Sequence, residues 1–347
     1  MSGETMQAVV CHAPYDYRVE ELPRPQPGPG ELLVKVGSTG ICASDMKCFT
    51  GGKLFWGTTG WHCEAPVVPG HEFAGEVVAI GSDVTEVALG DRVAVDPSLH
   101  CGECYYCRRG RGNLCERWAA IGVTTSGGAA DFAVAPVANC FRLSESLASA
   151  DAALIEPLSC AVRGFDVLQP QLGDHYLIYG AGTRGLMMME LAKRAGAASV
   201  SMVDLNPTRL ETAKLLGCTA TVASADELDR PRGWDVVIDC TGVVAAIEDG
   251  LARVGKGGTF QQFGVSAEQA VARWSPFRIY NEEIRIVGSM AVLHSFERAG
   301  ELLEAGVLDP AVFISDRFDL EDYPKALDQF KQGIGRKIQV QPARSGG

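Results

Sequence analysis

The first 150 residues contain short runs that are either apolar or alternate between apolar and polar residues. Glycines and Asp-Arg or Asn turns separate these runs. The runs lie at residues 6–10, 31–36, 73–80, 92–95 and 131–135. Apolar residues that recur with a period of two predict half-buried β-strands. Residues 23–30 contain four prolines. They predict an extended connector, because proline fits neither a helix interior nor a central strand. This part of the chain is predicted to be β-rich with long loops.

Beyond residue 150 the apolar runs alternate with segments of helical periodicity. Strands are predicted at residues 175–179, 199–203, 235–239 and 258–263, and helices at about 184–195, 207–216 and 244–253. Strands that alternate with helices predict a parallel sheet covered on both faces. A last strand at 284–289, helices at about 295–305 and 322–332, and a strand at 336–340 follow.

Composition and charge narrow the class of protein. The chain has 347 residues, of which 46% are apolar, and its net charge is −12. This length supports two domains with separate cores, and the acidic balance argues against a nucleic-acid or anionic-membrane partner. The chain has no apolar run long enough for a transmembrane helix, and Met1–Gln7 has no signal-peptide pattern. A cytoplasmic location is the default expectation.

The most specific chemical signal is a cluster of four cysteines. Twelve cysteines in a long chain without a secretion signal favour free thiols or metal ligands over disulfides. Four of them follow the pattern Cys101-x2-Cys104-x2-Cys107-x7-Cys115. Four thiolates at this spacing can close a tetrahedral shell around a zinc ion, which is typical of a structural site. An iron–sulfur cluster is the second interpretation.

A dinucleotide site is predicted where the first parallel strand meets its helix. The sequence Gly180-Ala181-Gly182-Thr183-Arg184-Gly185 matches G-x-G-x-x-G and follows the apolar strand at 176–179. The glycines permit a tight turn and close backbone approach, and the helix N-terminus offers N–H groups to a pyrophosphate.

The next strand ends at Asp204, where a carboxylate is expected to bind the adenosine ribose. It would repel a 2′-phosphate and therefore favours NAD over NADP. Arg209 weakens this preference, because an arginine nearby can accommodate that phosphate. The alternative role for Asp204 is to cap the helix that begins near Pro207.

A second metal centre is suggested by His71 and Glu72, which stand next to each other after Pro69-Gly70. A single histidine beside apolar residues is more often a hydrogen-bonded core residue than a ligand. The presence of Cys42 upstream and Glu156 downstream favours a catalytic zinc instead. Such a zinc keeps an open position for a substrate oxygen.

Together these motifs resemble the zinc-containing medium-chain dehydrogenase family, and the resemblance covers essentially the whole chain. It rests on Cys42-x-Ser44-Asp45, Gly70-His71-Glu72, the four cysteines, Glu156-Pro157 and the loop 180–185. The resemblance implies an α/β protein with two domains. A GroES-like β-rich catalytic domain would comprise residues 1–157 and 292–347, with a zinc lobe at 98–117. A Rossmann domain with a doubly wound parallel sheet would comprise residues 158–291.

The same resemblance assigns roles around the catalytic zinc. Cys42, His71 and Glu156 would contact the metal, with Glu72 either a fourth ligand or just outside the coordination shell. Ser44 would be the first hydroxyl of a proton relay, although Ser44-Asp45 also suits a helix start. Lys47 replaces the histidine that ends this relay in many members, and it receives no catalytic role here. Two zinc ions per chain are expected.

With glutamate at position 156, where other branches carry cysteine, the site resembles that of the sorbitol, xylitol and arabinitol dehydrogenases, and also that of the threonine and butanediol dehydrogenases. An oxygen-rich zinc site tolerates a vicinal diol, so the expected reaction oxidises a secondary hydroxyl of a C4–C6 polyol to a ketose with NAD. The alternatives are a butanediol, threonine or a sugar phosphate as substrate, and more remotely a non-catalytic zinc- and NAD-binding protein.

The glycine- and aromatic-rich segment 49–66 lies between two ligand motifs. Phe55 and Trp56 are predicted to shape the substrate pocket, and an interface or surface loop is the alternative. His62 and Cys63 in this segment fit no ligand position of the family. The resemblance also suggests a homo-oligomer, either a dimer or a tetramer, built partly through the Rossmann domains.

Overall fold

The computed structural model describes residues 4–56 and 63–342. The chain divides into two compact units. Unit 1 comprises Met1–Ser159 together with Val292–Gly347, and unit 2 comprises Cys160–Ala291. No helix within the described ranges combines the length and the apolar character needed to cross a membrane.

The strands and helices are numbered along the chain. The strands are β1 (Thr5–Ala13), β2 (Asp16–Pro23), β3 (Glu31–Gly40), β4 (Glu72–Ile80), β5 (Arg92–Val95), β6 (Ser98–Leu99), β7 (Ala119–Ala120), β8 (Phe132–Pro136), β9 (Cys140–Arg142), β10 (His175–Tyr179), β11 (Ser199–Val203), β12 (Ala220–Val222), β13 (Trp234–Asp239), β14 (Val254–Gln262), β15 (Arg285–Gly288), β16 (Ile314–Asp319) and β17 (Lys337–Gln341). The helices are α1 (Ala43–Phe49), α2 (Lys53–Trp56), α3 (Ser149–Ala152), α4 (Ile155–Leu168), α5 (Thr183–Arg194), α6 (Pro207–Leu215), α7 (Val244–Arg253), α8 (Pro276–Asn281), α9 (Phe296–Glu304), α10 (Pro310–Phe313) and α11 (Tyr323–Lys331).

Unit 1 is built around a largely antiparallel sheet in the order β16-β17-β3-β4-β5-β9, with β8 also paired to β3. Strand β3 is central because its residues Leu32, Leu33 and Val34 are fully buried. The C-terminal strand β17 pairs antiparallel with the end of β3, so the last part of the chain completes the sheet begun by the first. This pairing brings β17 to the end of β3 that precedes Cys42.

Unit 2 contains six parallel strands in the order β12-β11-β10-β13-β14-β15. The chain runs outward from β10 in one direction and then returns to build the other half beside it. This order is the doubly wound Rossmann arrangement, in which ligands bind at the carboxyl ends of the strands where the order reverses. The loop from β10 to α5 lies at that point and carries the glycine motif.

The structure confirms the predicted fold class, with a β-rich unit and a parallel α/β unit. The strands predicted at 92–95, 175–179 and 199–203 and the helix predicted at 244–253 agree fully with β5, β10, β11 and α7, and most other predicted elements differ by a few residues at their ends. Strand β2 was not predicted. Only intermediate and exposed residues occur in it, so it shows no clear apolar face, and its pairing with β1 decides its conformation.

Candidate functional site

Three predicted metal ligands meet where β3 ends and β4 begins. Cys42 is the N-cap of α1, two residues after the end of β3, and His71 immediately precedes Glu72, the first residue of β4. The antiparallel register of these strands places Gly40 opposite Glu72. One ligand atom from each of Cys42, His71 and Glu72 lies within 4.8 Å of the others, and all three residues are buried. Neighbouring strands therefore bring together residues that are 29 positions apart in sequence.

The approach of the two strands depends on a glycine. A Cβ atom at Gly40 would lie 2.1 Å from Oε2 of Glu72, well inside any normal contact distance. Only glycine at this position leaves room for the glutamate side chain beside the backbone of β3. Gly40 was not among the predicted site residues.

Asp45 contacts two of the three predicted ligands, Cys42 and His71. Its Oδ2 accepts a hydrogen bond from the backbone N–H of Cys42 at 2.7 Å, and its Oδ1 lies 3.5 Å from Nδ1 of His71. A carboxylate against the second nitrogen of a metal-binding histidine fixes the orientation of the ring. Burial acts to lower the pKa of His71, but the Asp45 carboxylate and then the Cys42 thiol raise it well above its usual range.

Glu72 uses one carboxylate oxygen for a buried ion pair. Its Oε2 lies 2.5 Å from Nζ of Lys337, which also donates to the carbonyl of Ile41 at 3.1 Å. The other oxygen, Oε1, is buried without a hydrogen-bond partner among the described residues. Buried carboxylate oxygens normally have a partner, so this atom fits a role toward a metal or its ligands. Sulfur, imidazole and carboxylate together are a donor set that zinc accepts.

Glu156 lies in the first turn of α4 and is 6% exposed. It does not belong to the group whose ligand atoms are all within 4.8 Å of one another; Glu72 occupies that place. The role of Glu156 as a ligand therefore stays a prediction.

Ser44 lies 3.3 Å, Oγ to Nε2, from His71. Helix α1 has Cys42 as its N-cap, with Asp45 reaching back to it, so Ser44 does not cap the helix. The capping alternative for Ser44 is therefore wrong. A hydroxyl inside the first turn and within reach of the histidine is compatible with the proton relay that was predicted for it.

The four cysteines of the lobe face one another. Their Sγ–Sγ distances are 3.5 Å for Cys104–Cys107 and Cys101–Cys115, and 3.9 Å for Cys101–Cys107 and Cys104–Cys115. Zinc–sulfur bonds of about 2.3 Å imply sulfurs about 3.8 Å apart in a tetrahedron. The backbone N–H of Glu103 is the largest of the contacts that lower the pKa of the Cys101 thiol, to about 6. The lobe thus has the geometry of a closed tetrahedral site.

Glycine occurs at each position of the cofactor-loop motif for a different structural reason. Gly180 has φ +95°, which a residue with a side chain rarely adopts. A Cβ at Gly185 would lie 1.8 Å from the carbonyl oxygen of Gly180, so glycine is required where α5 packs against the loop. Gly182 is the N-cap of α5, and among the described residues a Cβ there would meet Arg209 alone, at 3.9 Å. Thr183 and Arg184 lie in the first turn of α5, and the N-terminus of a helix favours a pyrophosphate.

Asp204 directly follows β11, as predicted. Its Oδ2 accepts a hydrogen bond from the backbone N–H of Ala181 at 2.7 Å, and Nη1 of Arg209 lies 3.9 Å from the same oxygen. Asn206, not Asp204, caps helix α6, because its side chain accepts from Thr208 and Arg209. The capping alternative for Asp204 is therefore wrong. Its predicted contact with a ribose stays a prediction.

The two aromatic residues predicted to shape the pocket differ in position. Phe55 is 1% exposed and packs in a buried cluster with Val67, so the expectation that it forms the pocket wall is corrected: its ring fills the core of unit 1. Trp56 is only partly buried, and its indole N–H donates to the carbonyl of Cys48 at 2.7 Å. The remainder of this segment, residues 57–62, lies outside the described residues.

Asp45 and Lys337 are the contributors that the sequence did not reveal. Asp45 carried a usable signal, since an aspartate three residues after a cysteine at a helix start can reach back to it. Lys337 lies 265 positions from Glu72, and no local pattern connects them. Only the pairing of β17 with β3 brings the lysine to the site.

Comparison with known families agrees with both halves of the structure. The model of the alcohol dehydrogenase GroES-like domain matches residues 28–145. The model described as zinc-binding dehydrogenase matches residues 185–305. The first range contains Cys42, His71, Glu72 and the whole cysteine lobe, and the second begins at the last glycine of the cofactor loop.

Individual relatives extend this similarity to the whole chain. D-arabinitol dehydrogenase 1 of Uromyces fabae is 34% identical, and the match covers 97% of each chain. Erythritol/L-threitol dehydrogenase of Mycolicibacterium smegmatis is 33% identical over 95% of each. A Sinorhizobium meliloti protein solved with bound NADP is 32% identical, covers 98% of this chain and 100% of its own, and superposes with a TM-score of 0.92. The chain belongs to the zinc-containing medium-chain dehydrogenase family, in its polyol dehydrogenase-like branch.

Proposed function

We propose that this enzyme oxidises a secondary hydroxyl of a C4–C6 polyol to a ketose and transfers the hydride to NAD. The observation that carries the proposal is the buried group of Cys42, His71 and Glu72, in which sulfur, nitrogen and oxygen donors lie within 4.8 Å of one another. Its membership in the polyol dehydrogenase-like branch supports the same conclusion. The closed lobe would hold a second, structural zinc.

A zinc ion bound to this group would supply the Lewis acidity that stabilises the alkoxide form of a bound alcohol. The chain's own residues set the conditions for this. Asp45 orients the His71 ring and the Cys42 backbone. Lys337 neutralises one oxygen of Glu72 and so limits the negative charge of the site. Ser44, whose Oγ lies 3.3 Å from Nε2 of His71, would take up the hydroxyl proton of the substrate while passing its own proton on to water.

The substrate class follows from the oxygen-rich character of the site. We assign Glu156 as a further ligand, where other branches of the family have cysteine, and a carboxylate makes the metal harder than a second thiolate would. A harder site tolerates two hydroxyl oxygens of a vicinal diol. Two of the relatives are named for polyols, one for arabinitol and one for erythritol and threitol.

NAD is our choice of cofactor because of Asp204 at the end of β11. A carboxylate there can accept hydrogen bonds from the ribose hydroxyls but repels a 2′-phosphate. The similar Sinorhizobium meliloti protein was solved with NADP, and Arg209 lies beside Asp204 in this chain. We therefore expect a higher kcat/KM with NAD than with NADP, and we expect Asp204→Ala to reduce that ratio. A higher kcat/KM with NADP in the unaltered enzyme would contradict this assignment.

We also propose that two or more copies associate through unit 2. Large apolar side chains are exposed close to the edge strand β15, with Trp274, Phe277 and Tyr280 exposed by 54%, 70% and 84% and Ile286 by 41%. Strand β15 pairs with β14 at one edge of the sheet. Apolar groups at a strand edge favour association with another copy. Light scattering should give a dimer or tetramer, and a monomeric mass would contradict this.

A substrate screen tests the proposal as a whole. Zinc-loaded enzyme is incubated with NAD and C4–C6 polyols, butanediols, threonine or sugar phosphates, and reduced nicotinamide is followed by absorbance. Activity should be highest with a polyol and absent in Cys42→Ala, whereas Cys218→Ala should behave as wild type because Cys218 lies outside the site. Activity restricted to threonine, butanediol or a phosphorylated sugar would contradict the substrate class, and no activity at all would contradict the catalytic role.

A further inference from the structure

A third group of cysteines lies inside unit 1 and shares no residue with either of the groups described above. Cys11 is on β1, Cys48 is in the last turn of α1, and Cys63 follows residues 57–62. Their sulfur atoms lie within 4.8 Å of one another. The three residues are exposed by only 0%, 7% and 9%, so the sulfurs meet in the protein interior.

The walls of this cysteine trio, defined as Cys11, Cys48 and Cys63, are apolar apart from the Tyr17 hydroxyl, which interacts with the thiols of Cys11 and Cys48. The surrounding side chains are aliphatic or aromatic: Phe55, Val67, Ala120 and Val123 are buried there, and Tyr17, Trp56 and Trp118 pack against them. Among the described residues, no histidine, aspartate or glutamate joins the three sulfurs within 4.8 Å. Sulfur is therefore the main donor that the site offers.

Backbone hydrogen bonds hold the trio in place. Cys11 and Val67 exchange two of them, of 2.8 and 3.1 Å, and the N–H of Cys63 donates to Phe55 at 2.9 Å. The carbonyl of Cys48 accepts the indole N–H of Trp56 at 2.7 Å. The three sulfurs are thus brought together by elements whose own contacts fix them, and the site is largely preformed.

We propose that the cysteine trio is a third metal site, which binds a soft, thiophilic d10 cation through three thiolates. Metal–sulfur bonds of about 2.3 Å place the sulfurs of a planar trigonal site about 4.0 Å apart. The observed separations, all within 4.8 Å, require only small side-chain movements to reach this geometry. Cu(I) fits best, because thiolates select it and zinc sites of this kind normally have a fourth ligand.

The pKa shifts within the trio are consistent with direct contact between the three sulfur atoms. Hydrogen bonds from Cys48 and Cys63 lower the pKa of Cys11 to about 4, while the bond to Cys11 raises the pKa of Cys48 to about 11. The shared hydrogen bonds therefore favour ionisation of Cys11 over that of Cys48. Binding of a metal to three thiolates releases the remaining thiol protons to solvent, so occupancy should rise with pH.

An occupant would tie three separate segments together. Cys48 lies in the helix whose N-cap is Cys42, a proposed ligand of the catalytic zinc. Cys63 lies at the end of the 49–66 segment between the ligand motifs. A metal in the trio would therefore tie the far end of α1 and the backbone at Cys63 to β1. The site requires no catalytic activity and can be tested independently of the proposed reaction.

Metal counting on matched proteins tests the proposal. Zinc-loaded wild type, Cys63→Ala, Cys48→Ser and the control Cys140→Ala are equilibrated without oxygen in a chelator-buffered Cu(I) solution, and in parallel with Zn(II). Cys140 is a cysteine of β9 outside all three clusters. Bound copper and zinc are then counted by native mass spectrometry. Any copper that enters the lobe or the catalytic centre is common to all four proteins and cancels in the comparison.

Wild type and Cys140→Ala should each bind one more ion than Cys63→Ala and Cys48→Ser. The incubation in which this extra ion appears, with Cu(I) or with Zn(II), identifies the metal that the trio binds. Equal metal contents in all four proteins, in both arms, would overturn the proposal. Folding of each variant is checked by circular dichroism. X-ray absorption of the copper-loaded wild type gives a readout without substitutions: three sulfur neighbours support the trio, and four sulfurs for all bound copper contradict it.

Discussion

The cysteine lobe and the Cys42–His71–Glu72 centre, the two zinc sites proposed above, are assembled from the chain in opposite ways. The lobe takes four ligands of one kind from 15 consecutive residues, with two 3-10 turns between its first and last cysteines. The catalytic centre takes three kinds of donor from separate elements and depends on Asp45 and Lys337 behind them. A local set of ligands depends on the metal for its structure, whereas a long-range set is held in position by strand pairing.

This difference predicts that loss of metal has its largest structural effect in the lobe. Cys104→Ala should abolish zinc binding there, and zinc-finger peptides show that such a site can supply ~10–16 kcal/mol of folding free energy. Proteases should then cut residues 101–115 rapidly, while the main sheet of unit 1 and the parallel sheet of unit 2 remain folded. Limited proteolysis with mass mapping checks this, with Cys218→Ala as control, and an equally resistant lobe would contradict it.

The second prediction concerns the buried ion pair behind the catalytic centre. Lys337→Met should destabilise the protein by about 3–5 kcal/mol, because it leaves the Glu72 carboxylate buried without its partner. Chemical denaturation measures the change. The exposed Lys331→Met is the matched control and should change stability by less than about 0.5 kcal/mol.

A double variant separates charge from packing at this position. Lys337→Met combined with Glu72→Gln removes both charges and should recover much of the lost stability, because the uncompensated carboxylate is gone. Stability that falls further in the double variant would show that the two residues contribute independently.

The smallest expected effect is at Asp45. Asp45→Asn retains the shape of the side chain but weakens its hold on His71, and loss of such a supporting group lowers metal affinity by about 10–100-fold. Zinc competition with a chelator should show this for the catalytic ion and leave the lobe ion unchanged. Asp226→Asn, at a carboxylate that is 84% exposed, is the control. Weakened binding at both zinc sites would indicate a general loss of structure instead.

The same contrast explains how much the sequence could reveal. The spacing of Cys101–Cys115 is local, so its tetrahedral arrangement was predictable without a fold. The loop between β10 and α5 was also predictable, because Gly180 and Gly185 are required by backbone geometry close to them in sequence. Local patterns predict local structures well.

Long-range contacts were harder to predict. Lys337 reaches Glu72 only through the pairing of β17 with β3, and Phe55 was expected at a pocket but packs in the core. Cys63 matched no ligand position of the family, and its neighbours Cys11 and Cys48 are 52 and 15 positions away, a spacing that suggests no motif. Strand pairing and side-chain packing across unit 1 determine these contacts, and no short sequence pattern encodes them.

Counting zinc in the wild type and in Cys42→Ala tests the central claim most directly, with activity measured on the same samples. The account predicts two zinc ions per chain in the wild type and one in Cys42→Ala, with the fold retained and dehydrogenase activity lost. A single zinc in the wild type that disappears in Cys104→Ala would contradict the catalytic centre, because the lobe would then hold all of the zinc.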